Sequence, residues 1–336
     1  GLRLRYVLQR LLQFAIVFFI VTFGVMVLIR LGLNAPGDPA RTLLGGSVTD
    51  EMIAEYTAKY RLDQNYFVQY LYWLGNFLTG DMGFSKPNSS QVSSLIGSRV
   101  MTTVLLGIYA IVLALIISVP LAVRQAWKRD GRFDKSASII TFGFVSVPGI
   151  VLAPILALIL IKQTEFSVGD YVLTIGGWFP RIGDKIYPWQ DLGLHMQNFF
   201  VPVLVLALPL AAIYTRILRG DMVQTLQADF ITLASAKGVP PRRVLWVHAL
   251  RNSLLSLLTA VGGQVGGIVG GALIVESYFA MPGMGNLLVV AILSRDFFVV
   301  QSAAAILVIT VVLTNLVVDL LYAVLDPRIR HARALA

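Results

Sequence analysis

The stretch Val100-Met-Thr-Thr-Val-Leu-Leu-Gly-Ile-Tyr-Ala-Ile-Val-Leu-Ala-Leu-Ile-Ile-Ser-Val-Pro-Leu-Ala-Val123 runs for 24 residues without Asp, Glu, Lys or Arg. As a helix it covers about 36 Å, more than the ~30 Å of hydrocarbon in a bilayer. Five further charge-free runs are comparable, at 11–29, 136–161, 199–215, 252–275 and 297–318. The shortest, 199–215, holds Pro202 and Pro209 and gains a turn if Arg216 snorkels. The first run is too long for the apolar region of a cleaved signal peptide. The spacing therefore predicts six transmembrane helices, at about 8–31, 100–123, 136–161, 199–216, 252–275 and 297–320.

Composition agrees. Only 13% of the 336 residues are charged and 57% are hydrophobic, whereas a soluble domain carries about 25% charge. Too little charge remains to clothe a water-facing globule. The predicted fold class is an all-α integral membrane protein, one transmembrane domain across 1–336. With no cysteine, disulfide frameworks and thiolate metal sites are excluded.

The formal charge of +9 is explained by topology. Residues 1–10, 124–135, 216–251 and 319–336 hold 17 of the 27 Lys and Arg within 76 positions. The opposite side, 30–99, 162–198 and 276–296, holds 10 in 128. By the positive-inside rule the first set is cytoplasmic, with both termini inside. Nucleic acid is not an expected partner, because no basic stretch is interleaved with aromatics for base stacking.

The largest external piece is 32–99. It opens on Asn34-Ala-Pro-Gly-Asp-Pro39, a turn-rich exit. Thr49 reads as an N-cap before a short helix with Met52, Ile53, Tyr56 and Tyr60 on one face. Tyr66, Phe67, Tyr70, Leu71, Trp73, Leu74, Phe77 and Leu78 form a second helical pattern that Gly80-Asp81 stops. Its aromatic stripe suits a helix lying in the membrane interface first, and a docking rim for an external partner second, the two not being exclusive.

The inner connector 216–251 is longer than a plain link requires. Asp229 reads as an N-cap for a helix through Phe230, Ile231, Leu233, Ala234 and Ala236. Lys237 complements its dipole and Gly238 supplies a left-handed terminator. Pro240 and Pro241 forbid continuation, and Pro241 suits the first position of the next helix. That helix carries Arg242, Arg243, Val244, Leu245, His248 and Leu250 into the fifth span.

These residues carry a resemblance. Asp229-Phe-Ile-Thr-Leu-Ala-Ser-Ala-Lys-Gly238, followed by His248-Ala-Leu-Arg-Asn252, resembles the EAA coupling loop of binding-protein-dependent ABC importer permeases, most closely the B-type members of the dipeptide/oligopeptide branch. Pro36-Gly-Asp-Pro39, Leu62-Asp-Gln64, Gln69-Tyr70, Trp73-Leu74 and Gly80-Asp-Met-Gly-Phe-Ser85 are similar to family elements in the same order. So are Pro282-Gly-Met-Gly285, Arg295-Asp296, Val300-Gln301, Asn315–Tyr322 and Leu325–Arg330. The chain departs from the family at Ser256, where proline is usual, at Thr232, where arginine is common, and in lacking a conspicuous EAA glutamate.

The resemblance implies a multi-pass permease in a bacterial or archaeal cytoplasmic membrane, paired with a second, C-type permease. It implies two ATPase subunits or domains, which bind ATP and Mg, and an extracytoplasmic peptide-binding protein. Asp229, Ala234, Ser235, Ala236, Lys237, Gly238 and Val239 would form the helix entering an ATPase groove, with Pro240 and Pro241 as a rigid elbow. The cargo would be di- or oligopeptides.

In the fifth span Gly262, Gly266 and Gly270 form one stripe and Gly263, Gly267 and Gly271 another. Small-xxx-small stripes permit close helix approach. They serve either packing within this subunit or a pathway wall between two permeases, with Gln264 as a polar lining residue. Asn315 and Asp319 read as structural, Asp319 pairing with a tail arginine.

No Walker-A motif, H-E-x-x-H or G-x-S-x-G is present, and His195, His248 and His331 fall in separate segments. The chain is therefore not expected to be catalytic or to hold a cofactor or metal itself. The alternative is an ATP-independent secondary transporter or channel. Ion-coupled carriers place ionisable groups at mid-membrane, and the six cores hold no Asp, Glu, Lys or Arg.

Overall fold

The computed structural model describes residues 2–33, 40, 44, 48–168, 171–179 and 187–325. Pro36–Pro39, the Asp319 side chain, His331 and the tail arginines lie outside what it describes. Helices dominate: α1 (Leu2–Leu33), α2 (Asp50–Tyr60), α3 (Tyr66–Leu78), α4 (Val92–Trp127), α5 (Arg132–Ser146) and α6 (Gly149–Leu160). They continue as α7 (Leu192–Thr225), α8 (Asp229–Ala236), α9 (Pro241–Tyr278), α10 (Met284–Leu293) and α11 (Phe297–Leu325). Two small antiparallel hairpins interrupt them: β1 (Phe84–Ser85) with β2 (Ser90–Gln91), and β3 (Thr164–Val168) with β4 (Tyr171–Ile175). Among the described residues five helices are long and apolar enough to cross a bilayer, or six if α5 and α6 form one broken span. The chain is an all-α integral membrane protein.

The charge-free run 136–161 is not one straight helix. α5 and α6 meet at 110°. Pro148 offers no N–H and pushes the residue before it out of the helical region; Val147 is extended, at φ −88° and ψ 116°. α6 has 12 residues, about 18 Å, too short to cross hydrocarbon alone. Apolarity without charge counted the run as a span, and the proline inside it broke the axis.

The chain forms two compact units. One comprises the residues up to Thr102 with Pro282–Val312. Here Thr49 caps α2 by accepting the Met52 amide at 3.3 Å, and Asn65 caps α3 by accepting from Val68 at 2.9 Å. On α2 Ile53 is buried, whereas Met52, assigned to the same face from the sequence, is exposed. Tyr70, Trp73 and Phe77 of α3 pack on Met26, Phe18 and Phe23 of α1 and on Ala305 of α11. That stripe is thus half internal core, while Phe67, Leu71 and Leu78 stay exposed. Ser85 donates to Asp296 at 2.5 Å, and Gln301 donates to the Thr22 carbonyl at 2.9 Å. On α1, Leu11, Leu12, Ile20, Leu28 and Leu31 are exposed, as a lipid-facing surface requires.

The second unit is Thr103–Met281 with the chain from Leu313 onward. α7 is its axis: Tyr214, Leu218 and Met222 are fully buried, and α9, α5 and α6 pack around it. The predicted span 199–216 is only its middle, and the charge-free sequence itself begins at Leu192. Asp191 caps the start by accepting from Leu194 at 3.0 Å, and the helix continues past Arg216, Arg219 and Asp221 to Thr225. A charge-free window stops at the first arginine, but here Arg219 is paired. Much of the predicted inner loop is therefore helix, and the irregular part is far shorter than 36 residues.

The candidate coupling elbow and the glycine faces

After α7 ends, α8 begins without a side-chain cap. Ala228 occupies the N-cap position, and Asp229 is the first helical residue; the expected capping by Asp229 is corrected to a charge at the positive end of the helix. α8 is held from one side only. Ile231 is buried in the core that includes Val244, Leu245, Ala249 and Leu250. Phe230 and Leu233 are 43% and 57% exposed, and Ser235, Ala236, Lys237 and Gly238 are exposed with them.

The end of α8 is built from paired backbone bonds. The Gly238 amide donates to Ser235 O at 3.0 Å and the Val239 amide to Ala234 O at 3.2 Å. Such a 5→2 and 6→1 pair needs a left-handed residue between helix and exit, and Gly238 has φ +80°. The carbonyls of Ala234 and Ser235 thus close the elbow, while Ala236 and Lys237 present side chains. Pro240, at φ −59° and ψ 142°, leads to Pro241 at the first helical position of α9. Amides of Arg243 and Val244 then return to Pro240 O at 2.9 and 3.1 Å.

α9 does not start as a regular α-helix. Val244–Ala249 form a π-helical turn, with Val244, Leu245 and Ala249 buried. Trp246 and Val247 are left 43% and 46% exposed, and with Pro240, Arg242 and Arg243 they line a shallow recess. The elbow therefore bears exposed apolar side chains, Phe230 and Leu233 on α8 and Trp246 and Val247 at the start of α9, the latter two beside Arg242 and Arg243.

A polar cluster anchors the helix that leads into the elbow. Asp134 of α5 accepts Arg219 Nε at 2.7 Å and Nη2 at 2.5 Å, Gln125 Nε2 at 3.1 Å and the Asp130 amide at 3.0 Å. Sequence reading missed this ion pair, whose members are 85 positions apart. It also missed Glu276, fully buried and accepting from Thr103 Oγ1 at 2.6 Å, because the charge-free run 252–275 ends one residue earlier. His195, also fully buried, sits 3.1 Å from the Tyr109 hydroxyl.

The six glycines are not equivalent, and the difference cuts across the two stripes. A Cβ on Gly262 would meet Val318 Cγ1 at 2.9 Å, and one on Gly271 would meet Leu206 Cδ2 at 2.8 Å. On Gly263, Gly266 or Gly270 it would meet nothing within 4 Å. On Gly267 it would meet Gln264 Oε1 at 3.4 Å, so that amide lies along the open side. Gly262 and Gly271 serve packing inside the unit; Gly263, Gly266, Gly267 and Gly270 form an exposed, side-chain-free strip.

The fold is that of a polytopic helical membrane protein whose α8 elbow is packed on one side and exposed on the other. Residues 118–331 match the family described as binding-protein-dependent transport system inner membrane component, and residues 3–107 match its N-terminal companion family. The chain belongs to this family and is a permease subunit of an ABC transporter, a multi-pass protein of the inner membrane. It is 32% identical to the probable peptide ABC transporter permease protein y4tP of Sinorhizobium fredii, over 97% of this chain and 99% of that one. It is 32% identical to the oligopeptide transport system permease protein AppB of Bacillus subtilis, over 97% and 99%. With the dipeptide transport system permease protein DppB of Alkalihalophilus pseudofirmus it shares 33% identity, over 98% and 100%.

Proposed function

We propose that this chain is the B-type permease of an ATP-driven importer for di- or oligopeptides, forming half of the pathway and receiving force through α8. The observation that carries the coupling role is a short helix fixed from behind by Ile231 and bare in front at Phe230 and Leu233. Exposed aromatic and aliphatic side chains beside a basic segment suit insertion into a groove of a partner protein. That partner is an ATPase, which binds ATP and Mg; this chain contributes neither Walker motif nor cofactor. The peptide cargo is supported by the relatives named above.

The open strip Gly263, Gly266, Gly267 and Gly270 receives the second, C-type permease, with Gln264 lining the pathway between the two. Small residues without internal neighbours let a second helix approach closely. Both termini and the elbow face the cytoplasm by the charge count, and the segment 48–99 faces an extracytoplasmic binding protein.

The test is purification from native membranes in mild detergent, with companions identified by mass spectrometry. A second six-span permease and Walker-A ATPases are expected, and Leu233→Asp should release the ATPases while keeping the permease pair. Recovery of the chain alone, where a control complex survives, refutes the proposal and favours a self-sufficient carrier.

A further inference from the structure

Within the first unit a recess lies among α1, α3 and α11, lined by Met26, Arg30, Gln69, Trp73, Asp81 and Phe298 among others. Four atoms on its lining residues are buried without a hydrogen-bond partner: Nε and Nη1 of Arg30, Nε1 of Trp73 and Oε1 of Gln69. Gln69 and Trp73 are 4% and 8% exposed. The Gln69 amide is fixed, because its Nε2 already donates to Leu62 O at 3.2 Å and Gln64 O at 2.8 Å. Buried polar groups are nearly always satisfied, so a cluster of unpaired ones marks a missing occupant.

Three of the four orphaned atoms are donors, two of them on a guanidinium, whose planar fork matches phosphate oxygens. The cavity measures about 50 Å³. One water needs about 10–15 Å³, so a phosphate-sized group fits and an acyl chain or peptide does not. Its place on the molecule names the source. Arg30 follows the end of the charge-free run at Ile29, the level of the polar boundary, and its neighbours Leu28 and Leu31 are 70% and 55% exposed on the lipid-facing side of α1. Met26, one turn deeper, lines the apolar end, and Asp81, exposed, lines the rim. The carboxylate at the rim opposes a free phosphate dianion, and it suits a phosphodiester whose outer substituent is an amine.

We propose that this recess seats the phosphate of a phospholipid headgroup, of the phosphatidylethanolamine type, on Arg30 and Trp73. The lipid holds α3 to the end of α1 and thereby sets the position of the external helices. This stands apart from the coupling role, since none of these residues belongs to the elbow.

The test uses the full chain, delipidated in detergent and titrated with dioleoyl phosphatidylethanolamine, with retained lipid counted by native mass spectrometry. Wild type is expected to retain one lipid more tightly than the rest. Arg30→Gln should weaken that binding about tenfold, the loss of a charge-assisted pair. Trp73→Phe removes one donor and keeps the ring against Tyr70 and Phe77, whose centroids lie 5.7 and 5.1 Å away. It should fold normally and bind several-fold more weakly. Millimolar inorganic phosphate should not displace the lipid. Undiminished retention in Trp73→Phe, displacement by free phosphate, or no preferentially retained lipid in wild type each overturns the proposal; the last would assign the recess to water.

Discussion

Replacing Gly238 by alanine isolates the backbone chemistry of the elbow. A Cβ there meets no atom within 4 Å, so the substitution introduces no clash. What it introduces is strain: at φ +80° an L-residue with a Cβ sits in the left-handed region at roughly 1–2 kcal/mol. Taking about 1.4 kcal/mol, the closed elbow loses about tenfold in population relative to open alternatives. The amides of Gly238 and Val239, which donate to Ser235 and Ala234, should then exchange hydrogen about tenfold faster. Coupling of ATP hydrolysis to transport in proteoliposomes should fall in the reconstituted complex. Gly238→Asn provides the control, because asparagine tolerates this region better and should recover much of both signals. If Gly238→Ala matches wild type in exchange and transport, or if Asn is as damaging as Ala, the elbow does not depend on this conformation and the reasoning is wrong.

Other substitutions separate internal packing from docking. Gly262→Ala drives a methyl against the stiff Val318 side chain and should cost about 1–3 kcal/mol of stability in detergent melts; Gly263→Ala, on the open side, should leave the isolated chain at least as stable and weaken association with the second permease. Arg219→Gln strands the Asp134 carboxylate. Because the Arg219 side chain is 28% exposed, the loss should be about 1–3 kcal/mol, below the 3–5 expected of a fully buried pair, and a double-mutant cycle with Asp134→Asn should show strong coupling between the two sites. Ala236→Glu, on an exposed position, should leave folding untouched and abolish ATPase retention in pull-downs; retention at the wild-type level would remove Ala236 from the docking surface.

Much of this architecture is legible in the sequence because two physical signals are strong. Long apolar runs are written into composition, so helices at the places of α4 and α11 are legible, although α4 begins eight residues before its charge-free run and ends four after it. Gly238 and the Pro240-Pro241 pair dictate backbone angles locally, so the elbow could be drawn residue by residue. What failed depended on distant partners. α7 continues past Arg216 and carries Arg219 to Asp134 on another helix, a pairing that no local pattern announces. Met52 shares helical spacing with Ile53 and Tyr56, yet only tertiary packing decides which positions of an amphipathic helix are covered. The β3–β4 hairpin went unseen because the segment was treated as a connector between spans, although Tyr171-Val-Leu-Thr-Ile175 has a strand-like composition. The glycine stripes are legible in the sequence, but which of their members face Val318 and Leu206 is a property of the bundle: Gly262 comes from one stripe and Gly271 from the other.

The π turn at the start of α9 makes the phase of that helix adjustable. A wider turn takes up one more residue than an α turn, and one residue corresponds to about 100° of azimuth and 1.5 Å of travel. Tightening Val244–Ala249 to regular winding would pass that surplus along the rod and rotate everything beyond it, so the face bearing Gly263 and Gly270 would turn through more than a quarter of a revolution. A displacement at the elbow could thus emerge at mid-bilayer as rotation, with the screw thread of the helix doing the conversion. Deleting Val247 would fix the tight setting permanently, and cysteine crosslinks from position 263 or 270 to the partner permease would report it by changing partners; unchanged crosslinks would mean that the turn is merely a local accommodation of Trp246.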